Sequence, residues 1–417
     1  MPEFVPLPLH RYNPARPDLP PEWTSAPAGP HLHGPELSLL AAKSPCNVVH
    51  VERLGTADTS AETLRRWLGE DILTPMEPGF LLLRSELPDG RARWSLLGGV
   101  PLVSVAEGGL LRLEDVHPSQ RDDRLARMRS AKAQFAPVLG LLEPDSGLNA
   151  FATHISRDEP LMECRQGDGV RHVLWRVPQL EESVAQSVFK GGAALVAGGH
   201  TTLAAALALW AEQGPGTPGN RKPWDYVLCC LTDGSPDGLD VAPVHRVLTW
   251  FRKFDWETLL TEAEERFHVR PATMPEDLAM AGDGAFLLYL PTTLWLLIPR
   301  EGPAAPVPDT PADNPQAVEA DALLARCPAH VLERVFLRGV LGLGDEELAR
   351  HFLDYFLSPE EALRLVRGGE AQAAFILRPT PLADLRAMAT AGRTLPARSV
   401  AVPPCVPSGL VFYLHGQ

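Results

Sequence analysis

Short apolar runs bounded by turn residues recur along this chain more often than helical periodicity does. Asn47–Leu54 (NVVHVERL), Gly79–Leu87 (GFLLLRSEL) and Ala92–Val105 (ARWSLLGGVPLVSV) are apolar or β-branched and are set off by breakers such as Pro88–Gly90, which predicts strands. Pro137–Pro144 (PVLGLLEP), Arg171–Val177 (RHVLWRV), Ala193–Ala197 (AALVA) and the stretch DYVLCCLTDG repeat the signature. Ala285–Ile298 (AFLLYLPTTLWLLI) is the most apolar stretch; Pro291 cuts it into two buried strands.

Helical patterns are fewer. Thr59 followed by Glu62 reads as a capping box opening a helix through TSAETLRRWLGEDIL, and the charged segment Ser119–Phe135 places Leu125 and Met128 on one face. The alanine-rich run after His200 is made of strong helix formers. Near the end, Val331, Val335 and Phe336 stand near helical spacing, and Ser358, Pro359 and Glu361 supply an N-cap, a first helical residue and a closing box. The strand Ala373–Leu377 (AAFIL), a short helix and two final strands follow.

Hairpin-like strands mixed with single helices indicate an α+β fold rather than a doubly wound parallel sheet. Residues 1–300 are expected to form a mixed-sheet body with inserted helices, its first 45 residues a Pro-rich irregular arm. The Pro-rich stretch 301–315 reads as a linker, and 316–417 as a smaller, mostly helical C-terminal region with two short strands, packing back on the body.

Composition narrows the partners. The 417 residues carry 38 Lys and Arg against 52 Asp and Glu, a net charge of −14, with no basic run interleaved with aromatics. Such a field repels nucleic acid and anionic membrane, and neither is expected as a partner. The six cysteines lack CxxC spacing, which argues against a zinc ribbon and a disulfide framework and fits a reducing compartment. No apolar segment reaches the ~20 residues that span a bilayer, and Pro2, Pro6 and Pro8 break any signal-like core, so a cytoplasmic protein is expected.

Four places hold candidate chemistry. In LVAGGHTTLAAALALW (Leu195–Trp210) a strand runs through Gly198 and Gly199 into a helix, and the free N–H groups there face an anion, with Thr201 and Thr202 as hydroxyl donors and His200 as a proton carrier. The motif matches neither GxxxxGK[ST] nor GxGxxG, so, taken alone, it reads as a close-packed strand-to-helix turn before it reads as a phosphate site. In TDGSPDGLDVAPVHRVL, His245 and Arg246 pair a residue that titrates near neutrality with one that forks onto phosphate or carboxylate; a capped helix start is the bland alternative. Asp233, Asp237 and Asp240 do not have calcium-loop spacing. In EDVHPSQRDDR, His117 stands near Gln120, Asp122, Asp123 and Arg124, as in a charged helix entrance. In LPARSVAVPPC, Arg398 and Ser399 follow a proline turn, as either a phosphate contact or an edge strand. His31 and His33 have no partner at metal spacing, adjacent Cys229 and Cys230 suit core packing, and no metal ligand is assigned.

Taken in order, SPCNVVHVE, VHPSQRDDRLARM, VAGGHTTLAAAL, GLDVAPVHRVL, GGEAQAAFILRPTPLADLRAMATAGRTLPARS and PSGLVF resemble the successive signatures of the bacterial and archaeal family called domain of unknown function 1015. Its glycine–histidine–arginine turn is similar to that of the wider ParB and sulfiredoxin-like group, which includes an archaeal free serine kinase. The resemblance implies a core of that type and nucleotide-dependent phosphoryl transfer or hydrolysis on a small metabolite such as serine or phosphoserine, with a divalent cation. It places His200 and His245 as catalytic candidates, and Gly198, Gly199, Thr201, Thr202, Arg246, Arg398 and Ser399 as ligand contacts. This chain departs from the family: the signature Asp, second His and Arg are here Gly198, Thr201 and Thr202, and the C-terminal Lys and Thr are Arg398 and Val400. Loss of those groups points to a catalytically silent member that binds a small anion or a protein partner. An active enzyme is the alternative.

Overall fold

The computed structural model describes residues 3–27, 34–189, 192–217, 219–235, 239–250, 252–273, 275–300, 314–349 and 352–416. The fold is α+β, and the chain divides into two units. The first comprises Met1–Leu111, Pro118–Asp240 and Val402–Gln417, and the second Arg112–His117 and Val241–Ala401.

In the first unit an eight-stranded mixed sheet runs in the order Leu110–Leu111, Ala194–Gly198, Val138–Leu141, Tyr226–Thr232, Ala92–Pro101, Leu81–Glu86, Arg171–Arg176, Met162–Arg165. Tyr226–Thr232 pairs parallel with Val138–Leu141 and antiparallel with Ala92–Pro101, with Cys229 opposite both Val138 and Gly98. Cys229 and Cys230 point to opposite faces, and both are buried, so both faces of this strand are covered. Burial drives both thiols up in pKa, as expected of packing residues. The helix His200–Gln213 packs Leu203, Ala206 and Leu209 into the core that contains Val196 and Leu231.

A second, four-stranded sheet of this unit runs Leu73–Pro75, Leu9–Tyr12, Phe412–Leu414, Ala133–Gln134. The Pro-rich beginning therefore contains an interior strand where the pattern suggested an irregular arm. Leu9 and His10 are buried and pair with Tyr413 and Phe412.

The second unit is built on a six-stranded antiparallel sheet in the order Phe267–Pro271, Leu294–Pro299, Phe286–Tyr289, Ala371–Leu377, His245–Thr249, Leu353–Phe356. Every residue of Ala371–Leu377 is buried, as an interior strand requires, and it pairs with both Phe286–Tyr289 and His245–Thr249. Phe267, Phe286, Phe336 and Phe375 meet edge to face behind it. The division thus falls after Asp240 and not at 301–315. The region after 315 is rich in helix, but its strands Leu353–Phe356 and Ala371–Leu377 complete a sheet begun before 300. Of the expected linker only Asn314 and Pro315 are described; Asn314 caps the helix Pro315–Ala325 by accepting from the Ala317 N–H at 3.1 Å.

Two local expectations change. Asn47–Leu54, expected as a strand, contains the helical turn Val49–Glu52, because the buried Asn47 amide accepts from the Val49 N–H (3.1 Å) and donates to the Trp23 and Ser25 carbonyls (2.7 and 3.0 Å). The helix Ala57–Gly69 is capped one turn earlier than expected: Thr56 accepts from the Thr59 N–H, and the Thr59 hydroxyl, in place of Glu62, accepts from the Thr56 N–H. Ser358 caps Pro359–Arg367 as expected. Among the described residues no helix is long and apolar enough to cross a membrane.

Candidate functional site

The glycine corner lies in the first unit. The strand Ala194–Gly198 ends at Gly199, which has φ +78° and is the N-cap of the helix His200–Gln213 with no side-chain cap bond. A Cβ on Gly199 would lie 3.0 Å from the Val138 Cα and 3.3 Å from the Pro137 carbonyl oxygen, so glycine is required by both backbone conformation and space. At Gly198 the nearest atom, the Leu139 Cβ, is 3.4 Å from an added Cβ, an ordinary contact. His200 is half-buried, and its Nε2 donates to the Val196 carbonyl at 3.1 Å, which ties the ring back to the strand. Thr202 is buried and Thr201 half-buried.

The remaining candidates lie in the second unit. His245 and Arg246 open the strand His245–Thr249; no helix starts there. Adjacent strand residues face opposite ways, so the two side chains have separate environments. The buried His245 Nδ1 accepts the Leu377 backbone N–H at 3.1 Å, where the ladder to Ala371–Leu377 ends with Arg246 opposite Phe375. Burial, and then the Arg246 charge, lower its pKa to about 4. At neutral pH the ring is therefore uncharged with its Nδ1 lone pair engaged, a poor arrangement for proton exchange and a good one for a structural acceptor.

Arg246 is 1% exposed. Its guanidinium donates to the Val244 carbonyl at 2.9 Å and the Ser399 hydroxyl at 3.4 Å, and its Cζ lies 5.7 Å from the centre of the Tyr355 ring. No described carboxylate is within ion-pair distance of it. Half-buried Arg398 places its own Cζ 4.7 Å from the same ring centre. Burial raises the Tyr355 pKa while the two arginines pull it down, so the phenol stays neutral between them. Each cation–ring contact is worth about 1 kcal/mol.

A residue that the motifs left aside completes this group. Glu114 is buried, and its carboxylate accepts three consecutive backbone N–H groups: Arg398 at 2.9 Å, Ser399 at 3.0 Å and Val400 at 2.8 Å. Arg398 has φ +59°, and a left-handed residue leading such a run turns its N–H groups toward one point. The Ser399 hydroxyl donates to the Pro396 carbonyl at 2.6 Å, and Leu113 and Asp115 exchange backbone bonds with Leu395. The only trace of this in the sequence is a carboxylate in LEDVHP; its partners lie more than 280 positions away, beyond any local spacing rule.

The other acidic and histidine candidates separate. His117 falls in the second unit, whereas Asp122, Asp123 and Arg124 fall in the first, paired with Arg121, Arg127 and Glu52 respectively. Asp233 accepts from Ser146 and Ser235, and Asp240 pairs with Arg91. Asp237, His31 and His33 lie outside the described residues. Among the described residues no group of three or more His, Cys, Asp or Glu is arranged to hold a metal ion.

The family model described as "Protein of unknown function (DUF1015)" matches residues 25–322, and the chain belongs to this family. The match includes Glu114, the glycine corner, His245 and Arg246, and stops short of Tyr355, Arg398 and Ser399. None of the curated proteins matches the chain. Similar solved structures include a conserved hypothetical protein from Pyrococcus furiosus, at 12% identity and a TM-score of 0.39, covering 72% of this chain and 90% of that one. A free serine kinase in complex with AMP has 12% identity and a TM-score of 0.39, over 70% of this chain and 83% of that one. SbnI from Staphylococcus aureus, truncated at its C-terminus, has 11% identity and a TM-score of 0.37, over 75% and 85%. Likeness at this level carries nothing about ligand or reaction.

Proposed function

We propose that this protein is a catalytically silent, anion-binding member of its family, whose second unit receives a small phosphate- or carboxylate-bearing ligand at Arg398. The observation that carries the reading is the buried Arg246 guanidinium, which has no carboxylate within ion-pair distance among the described residues and lies beside Tyr355, the ring that also carries Arg398. Two guanidiniums, Arg246 and Arg398, flank the Tyr355 ring, and of the two carboxylates that act on that ring Glu114 is engaged by backbone N–H groups and Glu333 is paired with Arg338, within a chain of net charge −14. Arg398, the more exposed of the two, makes the contact; Arg246 supplies charge from behind, where low dielectric preserves it. The silent part of the reading rests on His245, which is held neutral with Nδ1 engaged, and on the absence of the signature Asp, His and Arg from Gly198–Thr202. The corner itself we read as scaffold, because packing against Val138 accounts for Gly199.

The test is calorimetry and thermal shift with ATP, ADP, serine, phosphoserine and inorganic phosphate, on the wild-type protein and Arg398→Ala. Binding of at least one anion, weakened tenfold or more in the variant, is the expected result. No binding tighter than about 1 mM overturns the anion reading. Nucleotide turnover that falls on His200→Ala or His245→Ala overturns the silent one and establishes the enzyme.

A further inference from the structure

We infer that the Arg398–Val400 turn is an anion site already occupied by the protein's own Glu114, so that an external carboxylate or phosphate binds there in competition with that side chain. This rests on the anion-binding reading only for the identity of the competing ligand; the occupied turn itself is a geometric fact. Three N–H groups at 2.8–3.0 Å converge on one carboxylate, with Glu114 Oε1 taking two of them and Oε2 the third. Side-chain capping of a turn ordinarily engages one or two donors, whereas three convergent donors led by a left-handed residue form a backbone concavity of the kind that holds free anions. Its surroundings suit an anion as well. The Ser399 hydroxyl within the turn accepts from the buried Arg246, and the Arg398 side chain lies against Tyr355. Glu114 arrives on the segment Arg112–His117, held to the turn by the backbone bonds of Leu113 and Asp115 with Leu395 and by the Thr394 hydroxyl bond to the Asp115 carboxylate. Those bonds do not depend on the Glu114 carboxylate, so the segment keeps its anchor when the carboxylate is removed. A planar carboxylate with two oxygens fits the donor set as found. A tetrahedral phosphate presents the same two oxygens and carries further acceptors besides.

The decisive variant is Glu114→Ala, which empties the turn and leaves its backbone intact. Its unfolding temperature is measured in acetate, phosphate and chloride at equal ionic strength, beside the wild-type protein. The expected result is a variant that unfolds below wild type in chloride and recovers saturably, by about 3 °C or more, in acetate or phosphate, while wild type shifts by less than half as much. Recovery by acetate and phosphate alike marks a general anion site; recovery by phosphate alone marks the tetrahedral class. Equal behaviour of all three salts in the variant overturns the proposal, as does a variant as stable as wild type in chloride. If Glu114→Ala does not fold, Glu114→Gln takes its place, since it retains one acceptor oxygen while losing the charge. It should bind phosphate at least threefold more tightly than wild type, and unchanged affinity overturns the competition. Should wild type bind no anion while Glu114→Ala is rescued by one, the occupied site stands and the proposed function alone fails.

Discussion

At Gly198–Thr202 the distinctive feature is the backbone and the side chains are ordinary, whereas around Tyr355 charged side chains converge on an aromatic ring and a backbone turn. The corner has the outline of an anion site, with a left-handed glycine at a helix start, yet packing against Val138 and Pro137 accounts for that glycine. The second cluster has no phosphate-loop motif and yet gathers Arg246, Arg398, Tyr355 and Glu114. A glycine-rich strand-to-helix turn is therefore evidence of a tight backbone before it is evidence of a ligand. A buried guanidinium that no described carboxylate pairs is the stronger sign, because burying a charge without a partner is costly.

Acid should have the largest effect on this comparison. His172 and His415 in the first unit and His245 in the second all have pKa values lowered to about 4, each chiefly by burial. Because the folded values lie below the unfolded value near 6.5, the unfolded chain takes up protons that the folded one refuses as pH falls from about 6.5 to about 4. Stability is thus intact above that window and lost within it, by about 3 kcal/mol per histidine. Urea unfolding at pH 7, 5.5 and 4, followed by hydrogen exchange for each unit, should show the first unit weakening more, since it holds two of the three. A profile flat to pH 4 would mean that the imidazoles are solvated.

Next in size is Gly199→Val, which should cost about 3 kcal/mol from left-handed strain and overpacking against Val138 together. Chemical denaturation measures it, and a loss below about 1 kcal/mol would return the corner to consideration as an open site. The smallest effects come from a matched pair. Tyr355→Leu, which removes the ring shared by two guanidiniums, should cost about 1–2 kcal/mol and weaken anion binding, whereas His200→Ala should cost less than about 1 kcal/mol and leave binding unchanged. Calorimetry on both variants with the same anion reads the difference, and the reverse ranking would move the ligand to the corner.

Much of the fold was legible because its strands are local patterns. Leu81–Glu86, Arg171–Arg176, Ala194–Gly198, Tyr226–Thr232 and the pair cut by Pro291 are short apolar runs with turns at both ends, and burial on one or both faces follows from that pattern. What periodicity cannot register is a side chain that replaces a backbone partner. Asn47 turns an apolar run into a helical turn by satisfying Trp23, Ser25 and Val49 at once. Nor does it register which distant strands share a sheet, so the Pro-rich stretch at 301–315 suggested a boundary across which Phe286–Tyr289 and Ala371–Leu377 are in fact paired. The site divides along the same line. Arg246, Arg398 and Ser399 could be named from their residue types, but Glu114 and Tyr355 become visible only when the chain is folded around them.

The pairing of Leu9–Tyr12 with Phe412–Leu414 sets an order of assembly during synthesis. Every strand of the six-stranded sheet has been made once the ribosome passes Leu377, while the four-stranded sheet still lacks an interior member until Leu414 emerges. Leu9–Tyr12, made before any strand of the six-stranded sheet, is thus paired on that side only after all of them, some 400 residues later.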